Sequence, residues 1–296
     1  MKKKKKIAAV VVTFNRLDLL KKCIESIRNQ TRKLDEIIII NNSSTDGTLE
    51  WLNEQTDLTV ITQENSGSAG GQYTGIKTAY EKGYDWIWCL DTDVIPNSTS
   101  LQAFLESEIS LDISTGFLSS LIFFKDGKLC NVNIPYLHLE KKVVESFVVV
   151  DNLEIISSSF GSVLFRGHII DKIGLPDKRY FIWGDDVDYT FRIIERGYKG
   201  YLIKKSIATH YAPSNELNPF LDLNYRDIKM KYGLRNTVSL IIRRNHILYS
   251  SKIRGYLASF VFINGLIKRR IRKNKSINFL ELLMLMKYYI SGLLFK

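Results

Sequence analysis

Three places in this 296-residue chain gather side chains able to do chemistry. Asp91-Thr92-Asp93 comes directly after the apolar run 86–90. Carboxylates at i and i+2 on a strand end can share one hard divalent cation, which can bridge the oxygens of a diphosphate. A solvated turn is the other reading of Asp-x-Asp; the buried strand before it favours the first. Asp185, Asp186 and Asp188 come after the stretch Tyr180-Phe181-Ile182-Trp183-Gly184. Paired acids raise each other's pKa, and one of them can take a proton from an attacking hydroxyl. Acids at a helix N-terminus, beside the positive end of its dipole, are the alternative, above all for Asp188. His210, beyond the strand-like residues 199–203, is either an imidazole ligand or a packing residue.

These groups need a scaffold, and the first hundred residues alternate strand and helix patterns. Residues 7–13 are apolar on both faces, as in a central parallel strand. From 17 to 28, Leu19, Leu20, Cys23, Ile24 and Ile27 recur at helical spacing. Residues 37–40 read as a second buried strand, 58–62 as a third and 86–90 as a fourth. A helix is expected from about Thr48, and another through Ala79 after the glycine-rich loop 65–71. Such alternation predicts a mainly parallel sheet with helices on both faces. Ligands bind such sheets beyond the carboxyl ends of the strands, so the polar segments 41–47, 65–71 and 91–93 should converge on one crevice. Between 112 and 160 the pattern divides poorly; 143–150 reads as strand and Asp126-Gly127 as a hairpin turn. Beyond Pro219 it becomes helical and basic.

Composition narrows the class. With 45% hydrophobic and 25% charged residues the chain reads as globular, which excludes extensive disorder. Cys23, Cys89 and Cys130 are odd in number and irregular in spacing, which fits a reducing compartment better than a disulfide framework or a zinc cluster. The net charge of +11 is uneven: residues 226–296 hold 16 Lys and Arg against 2 Asp and Glu. The basic run 268–275 lies between apolar stretches at 255–267 and 279–295, a pattern suited to an anionic bilayer surface or, alternatively, to a solvated helix packed on the core. Nucleic acid is not an expected partner, because aromatic interleaving and named binding motifs are missing. Lys2 to Lys6 resemble the basic start of a signal peptide. Residues 7–16 lack a cleavage site and soon reach the charge of Arg16, so their apolar part reads as a buried strand. No run reaches the roughly 18–20 apolar residues that a membrane span needs.

In order and spacing, Val11-Val12-Thr13-Phe14-Asn15-Arg16, Asn41-Asn42-Ser43-Ser44-Thr45-Asp46-Gly47-Thr48, Asp91-Thr92-Asp93 and Trp183-Gly184-Asp185-Asp186 resemble the family 2 inverting glycosyltransferases of GT-A fold. The glycine-rich Asn65-Ser66-Gly67-Ser68-Ala69-Gly70-Gly71 and residues 180–189 resemble the branch that contains galactofuranosyltransferases and rhamnosyltransferases. The likeness covers roughly residues 7–240. It implies an α/β, Rossmann-like nucleotide-diphospho-sugar transferase fold with helices on both faces over 1–225, while the charge pattern above marks 226–296 as a basic, helical, membrane-associating region. Thr13 and Asn15 would face the nucleotide, while Asn41 replaces an aspartate that contacts the base in many relatives, leaving a UDP-sugar or a dTDP-sugar open. Asn65, Gly67 and Gly70 would let backbone approach the donor. Asp91 and Asp93 would hold Mn²⁺ or Mg²⁺ on the donor diphosphate, with His210 as third ligand. Asp186 would be the catalytic base, Asp185 its neighbour orienting acceptor or base, and Trp183 a platform for the acceptor sugar or a core residue.

The implied activity is inverting transfer of galactofuranose or rhamnose to a glycan or lipid-linked acceptor in cell-surface polysaccharide assembly, at the cytoplasmic face of the cell membrane. A processive synthase is disfavoured by the lack of Gln-x-x-Arg-Trp. Tyr232-Gly233-Leu234-Arg235-Asn236 resembles a segment of the same branch, with no assigned role. Two other classes stay in view. A sugar-nucleotide-forming nucleotidyltransferase would show a glycine-rich, basic loop after the first strand, where Thr13-Phe14-Asn15-Arg16-Leu17 stands. A non-catalytic carbohydrate- or membrane-binding protein leaves both acidic motifs unexplained. The transferase reading requires that the 91/93 acids and the 185/186 acids meet.

Overall fold

The computed structural model describes residues 5–137, 151–215, 219–221, 224, 226–273 and 277–295. The strand expected at 143–150 lies outside the described residues. Strand β1 (Ile7–Thr13) runs parallel to β2 (Glu36–Asn41) on one side and β4 (Trp86–Asp91) on the other, and β3 (Thr59–Thr62) extends the parallel set beyond β2. Helices α1 (Leu17–Arg28), α2 (Thr48–Asn53) and α3 (Gly67–Glu81) make the connections. Because side chains alternate along a strand, Ala9 and Val11 pack with Ile24 and Ile27 of α1, whereas Ala8 and Val10 pack with Ile76 and Ala79 of α3. Covering both faces is what demands the uninterrupted apolar run.

Past β4 the sheet becomes mixed. β8 (Ser162–Arg166) runs antiparallel to β4 and to β6 (Thr115–Phe124). β9 (Lys199–His210) is parallel to β6, and carries β5 (Val94–Pro96) and β7 (Asn152–Ile155) antiparallel. The order β3-β2-β1-β4-β8-β6-β9-β5 therefore keeps the parallel half that the sequence predicts and adds an antiparallel insertion. Further helices are α4 (Ser100–Glu106), α5 (Ile170–Ile173) and α6 (Asp185–Glu195). The hairpin turn at Asp126-Gly127 is present, with Gly127 at φ +83°.

One expectation changes. Most of the glycine-rich segment 65–71 is not loop, since α3 already begins at Gly67. The reason is steric. A Cβ on Gly71 would stand 2.3 Å from Val12 Cγ1, and one on Gly75 2.3 Å from Val10 Cγ1. Glycine here lets the helix lie against β1.

The chain forms two compact units, one of Met1–Arg179 with Asp186–Asn215, the other of Tyr180–Asp185 with Glu216–Lys296. In the second, α7 (Ile228–Tyr249), α8 (Lys252–Arg272) and α9 (Phe279–Leu294) enclose a core of Leu234, Val238, Ile263, Leu266, Leu285 and Tyr288. Ser251 and Asn278 cap α8 and α9 by accepting from the backbone N–H of Arg254 and Glu281. Inside this core Arg270 pairs with Glu281 and donates to the Phe220 carbonyl at 2.6 Å. Among the described residues, no helix is long and apolar enough to cross a membrane.

Candidate active site

The carboxyl ends of β1, β2 and β4 lie side by side, Thr13 opposite Asn41 and Val12 opposite Asp91. The loops leaving them are bonded to one another. Asn15 Oδ1 accepts from the Thr45 N–H at 2.7 Å, and Asn42 Nδ2 donates to the Gly67 carbonyl at 3.0 Å. Asp46 accepts from Leu17 N–H at 3.0 Å and from Thr48 N–H at 3.3 Å, so one carboxylate caps the starts of both α1 and α2. Asn15 and Ser43 take φ of 51° and 57°, a region that asparagine tolerates better than most residues. Asn65 Oδ1 fixes the start of α3 by accepting from Gly67 N–H at 3.0 Å. The predicted convergence of the polar segments is therefore present.

Donor-site candidates differ in what they expose. Asn15 and Asn65 are exposed, and Gly67 and Gly70 are buried within α3. Asn41 is fully buried: its Oδ1 accepts from Ser44 N–H at 3.0 Å and its Nδ2 donates to the Thr62 hydroxyl at 3.5 Å. It orders the loop after β2. Thr13 Oγ1 and both ends of the Gln72 amide are buried with no hydrogen-bond partner among the described residues, unusual for polar groups.

Asp91 closes β4, and Asp93 lies in the turn to β5, held down where the Thr92 hydroxyl donates to the Val12 carbonyl. His210, the last residue of β9, stands opposite Val94, with Nε2 3.4 Å from Asp93 Oδ1. Its Nδ1 is 2.7 Å from Asn133 Oδ1, and Asn133 Nδ2 donates to Ser159 Oγ at 2.8 Å. Asn133 therefore presents its oxygen, Nδ1 carries a proton, and Nε2 is the nitrogen turned toward Asp93. Arg16 pairs with the other oxygen of Asp93.

Asp186, in the first turn of α6, accepts from the Val187 N–H at 2.7 Å and the Phe160 N–H at 3.4 Å. Burial first, then the charge of Asp93 and that of Asp186, push the Asp91 carboxyl up to about 7. The charge of Asp186 thus acts on Asp91 within the first unit, whereas Asp185 belongs to the second. Burial opposes the charge on His210, but hydrogen bonds to Asp93 and Cys130 and the charges of Asp93 and Asp91 prevail, pushing it up to about 10. Asp93 is held below the usual carboxylate range: burial works against it, yet His210 and Arg16 outweigh burial. Asp188, near the start of α6, pairs at 3.1 Å with Arg192, which donates to the carbonyls of Ile173 and Leu175.

Among the described residues no three His, Cys, Asp or Glu side chains stand ready as a metal cluster. Arg16 occupies one oxygen of Asp93. The chemistry of the donor set nevertheless fits a hard divalent cation, with two carboxylates at i and i+2 and an imidazole oriented through its far nitrogen.

Trp183 and Asp185 belong to the second unit, where the turn before α6 is strained. Phe181, Trp183 and Gly184 take φ of 64°, 62° and 95°. Asn236 Nδ2 donates to the carbonyls of Tyr180, Ile182 and Trp183 at 3.0, 2.9 and 2.7 Å. Tyr232 stacks on Phe181 with ring centroids 4.8 Å apart. Gly233 makes room for the Trp183 ring, since a Cβ there would be 2.5 Å from Trp183 Cε3. The segment 232–236, without a role in the sequence, is the clamp of this turn. Trp183 is half-buried, edge-on to Phe220.

Sequence reasoning passed over Arg16, Gln72, Asn133 and Asn236. Arg16 and Asn236 sit inside quoted motifs, so adjacency was their signal. Asn133 falls in the stretch that periodicity could not divide.

A sheet of this order, with bonded polar loops at its carboxyl edge and an Asp-x-Asp closing β4, is a fold of GT-A type. Residues 8–107 match the family model Glycosyl transferase family 2, and the chain carries a domain of that family. It is 28% identical over 231 residues to a galactofuranosyltransferase, GlfT1, of Mycolicibacterium smegmatis, covering 73% of this chain and 74% of that protein. Over 248 residues it is 23% identical to a chondroitin synthase of Pasteurella multocida, covering 72% of this chain and 25% of that protein. In fold it resembles the crystal structure of GalNAc-T7 with UDP, GalNAc and Mn²⁺, at a TM-score of 0.62 and 17% identity, over 83% of this chain and half of that one.

Proposed function

We propose that the chain transfers a sugar from a nucleoside diphosphate to an acceptor hydroxyl with inversion at the anomeric carbon, galactofuranose being favoured over rhamnose by the likeness to GlfT1. The observation that supports this reading is the carboxyl edge of the sheet, where Asp91 ends β4 opposite Val12 and His210 Nε2 stands 3.4 Å from Asp93, with the charge of Asp186 among those acting on Asp91. Thr13, Asn15 and Asn65 border the donor, with Asn41, Gly67 and Gly70 shaping its loops. Asp91, Asp93 and His210 would hold Mn²⁺ or Mg²⁺, whose chemistry is to neutralise charge growing on the departing diphosphate. Asp186 removes the proton of the acceptor hydroxyl, and the oxygen attacks the face opposite the leaving group, so the configuration inverts. Asp185 orients Asp186 or the acceptor, and the half-buried Trp183 offers a ring for an acceptor sugar. The acceptor is a glycan or a lipid-linked sugar of cell-surface polysaccharide assembly, and the helical region 226–296 lies on the inner face of the cell membrane.

A donor screen of UDP- and dTDP-sugars with Mn²⁺ and simple glycoside acceptors tests the reading. Asp186→Asn should lower turnover by about 10²–10⁴-fold while binding UDP with Mn²⁺ as the native chain does. Full turnover in that variant removes Asp186 as the base. Pyrophosphate release from a nucleoside triphosphate would favour the nucleotidyltransferase instead.

A further inference from the structure

The helical unit carries a large apolar surface outside as well as an apolar core. Its inward positions include charge, the buried Arg270–Glu281 pair, while twelve of the twenty large apolar side chains that stand exposed among the described residues lie on α8 and α9. On α8, Ile253, Leu257, Phe260 and Val261 face solvent, Leu257 and Val261 at 63% and 70% exposure, whereas Gly255, Ser259 and Ile263 face the core. An apolar helix face left open to solvent suits a lipid surface, which takes its hydrocarbon out of water.

Charge decides between possible occupants. α8 contains no Asp or Glu. Exposed Lys252 and Arg254 stand at one end of its apolar face, and exposed Lys268, Arg269 and Arg272 at the other. A second copy of the chain, docked in either direction along this helix, would set cations against cations. An anionic bilayer receives both: hydrocarbon takes the apolar middle, and lipid phosphates take the two basic ends.

We infer that α8 is an interfacial anchor, lying in the plane of an anionic membrane with Leu257, Phe260 and Val261 below the headgroups. This deepens the membrane reading above and is independent of the transferase assignment.

Flotation of the full chain with vesicles tests it, using phosphatidylcholine alone and a mixture with one-quarter phosphatidylglycerol. The native chain should float with the anionic vesicles and release as salt is raised. Leu257→Asp with Phe260→Asp should weaken flotation roughly tenfold or more, and Arg269→Glu with Arg272→Glu should abolish the preference for phosphatidylglycerol. Retained binding by the apolar double variant overturns the α8 anchor while leaving another membrane contact standing. A native chain that ignores both vesicles, or that sediments as a dimer which Leu257→Asp with Phe260→Asp makes monomeric, overturns the membrane reading itself. Titration with UDP and Mn²⁺ should be unchanged in every variant, which separates either failure from failure of the transferase assignment.

Discussion

The Asn236 amide nitrogen lies 2.7 Å from the Trp183 carbonyl and also reaches the carbonyls of Ile182 and Tyr180. One buried side chain therefore gathers three carbonyls of a tight turn that would otherwise splay, since Phe181 and Trp183 both sit in the left-handed region. The chain leaves this turn directly into Asp185 and Asp186. Asn236→Leu removes the donors and strands one buried and two part-buried carbonyls, the buried one at about 1–3 kcal/mol. Asn236→Asp keeps the shape but aims acceptor oxygens at carbonyl oxygens. We expect both to lower melting temperature and turnover, with the aspartate variant the worse at neutral pH. Equal behaviour of the two in thermal melts and rate assays would reduce Asn236 to a space-filler.

His210 depends on Asn133 in a comparable way. The 2.7 Å contact from Nδ1 fixes the ring and leaves Nε2 facing Asp93. Removing the orienting partner of a metal-bound histidine typically costs about 10- to 100-fold in metal affinity. Asn133→Leu should weaken Mn²⁺ binding in the presence of UDP by that amount, measured by calorimetry, and Asn133→Asp, which still accepts from Nδ1, should restore most of it. Unchanged affinity in Asn133→Leu would show that Asn133 does not orient His210 for a metal, and His210→Ala would then decide whether His210 is a ligand at all.

Much of this architecture is legible in the chain. β1 and α1 occupy the residues that periodicity assigns, because a strand buried on both faces and a helix with one apolar stripe each leave an unambiguous pattern. Convergence at the strand ends comes from topology alone. The start of α3 at Gly67 is hidden, since glycines carry no apolar period and read as loop until Val12 and Val10 are seen against them. Contacts distant in the chain are invisible for a different reason: Asn236 and Trp183, or Asn133 and His210, share no local pattern and meet only through tertiary packing. Asp188 illustrates the converse, an acid in a chemically suggestive run that its Arg192 partner ties to the core.

Close packing of α3 on β1 gives a test by exchange of a methyl group. Gly71→Ala places a Cβ 2.3 Å from Val12 Cγ1, and a β-branched side chain has little freedom to turn away. The single variant should lose about 1–3 kcal/mol in urea denaturation. Val12→Ala should recover part of that loss when combined with it, so that the double variant is more stable than the sum of the singles predicts. Strict additivity would show that the two residues do not touch.

Glu36, at the start of β2, ties three elements together by accepting from Thr59 of β3, from Lys82 just after α3, and from Tyr84 just before β4. Burial raises its pKa, but the hydrogen bonds from Lys82, Thr59 and Tyr84 prevail, so the folded value lies below the ordinary 4.5. A carboxyl depressed on folding stabilises fully above its unfolded value and progressively less as pH falls through its folded value. Glu36→Gln keeps the shape and removes the charge. It should therefore cost about 1–2 kcal/mol at pH 7, the gap between charged and neutral hydrogen bonds, and the cost should shrink toward zero as urea denaturation is repeated at pH values falling from about 5 toward 3. A gap that persists unchanged in acid would assign the loss to packing and not to the carboxylate.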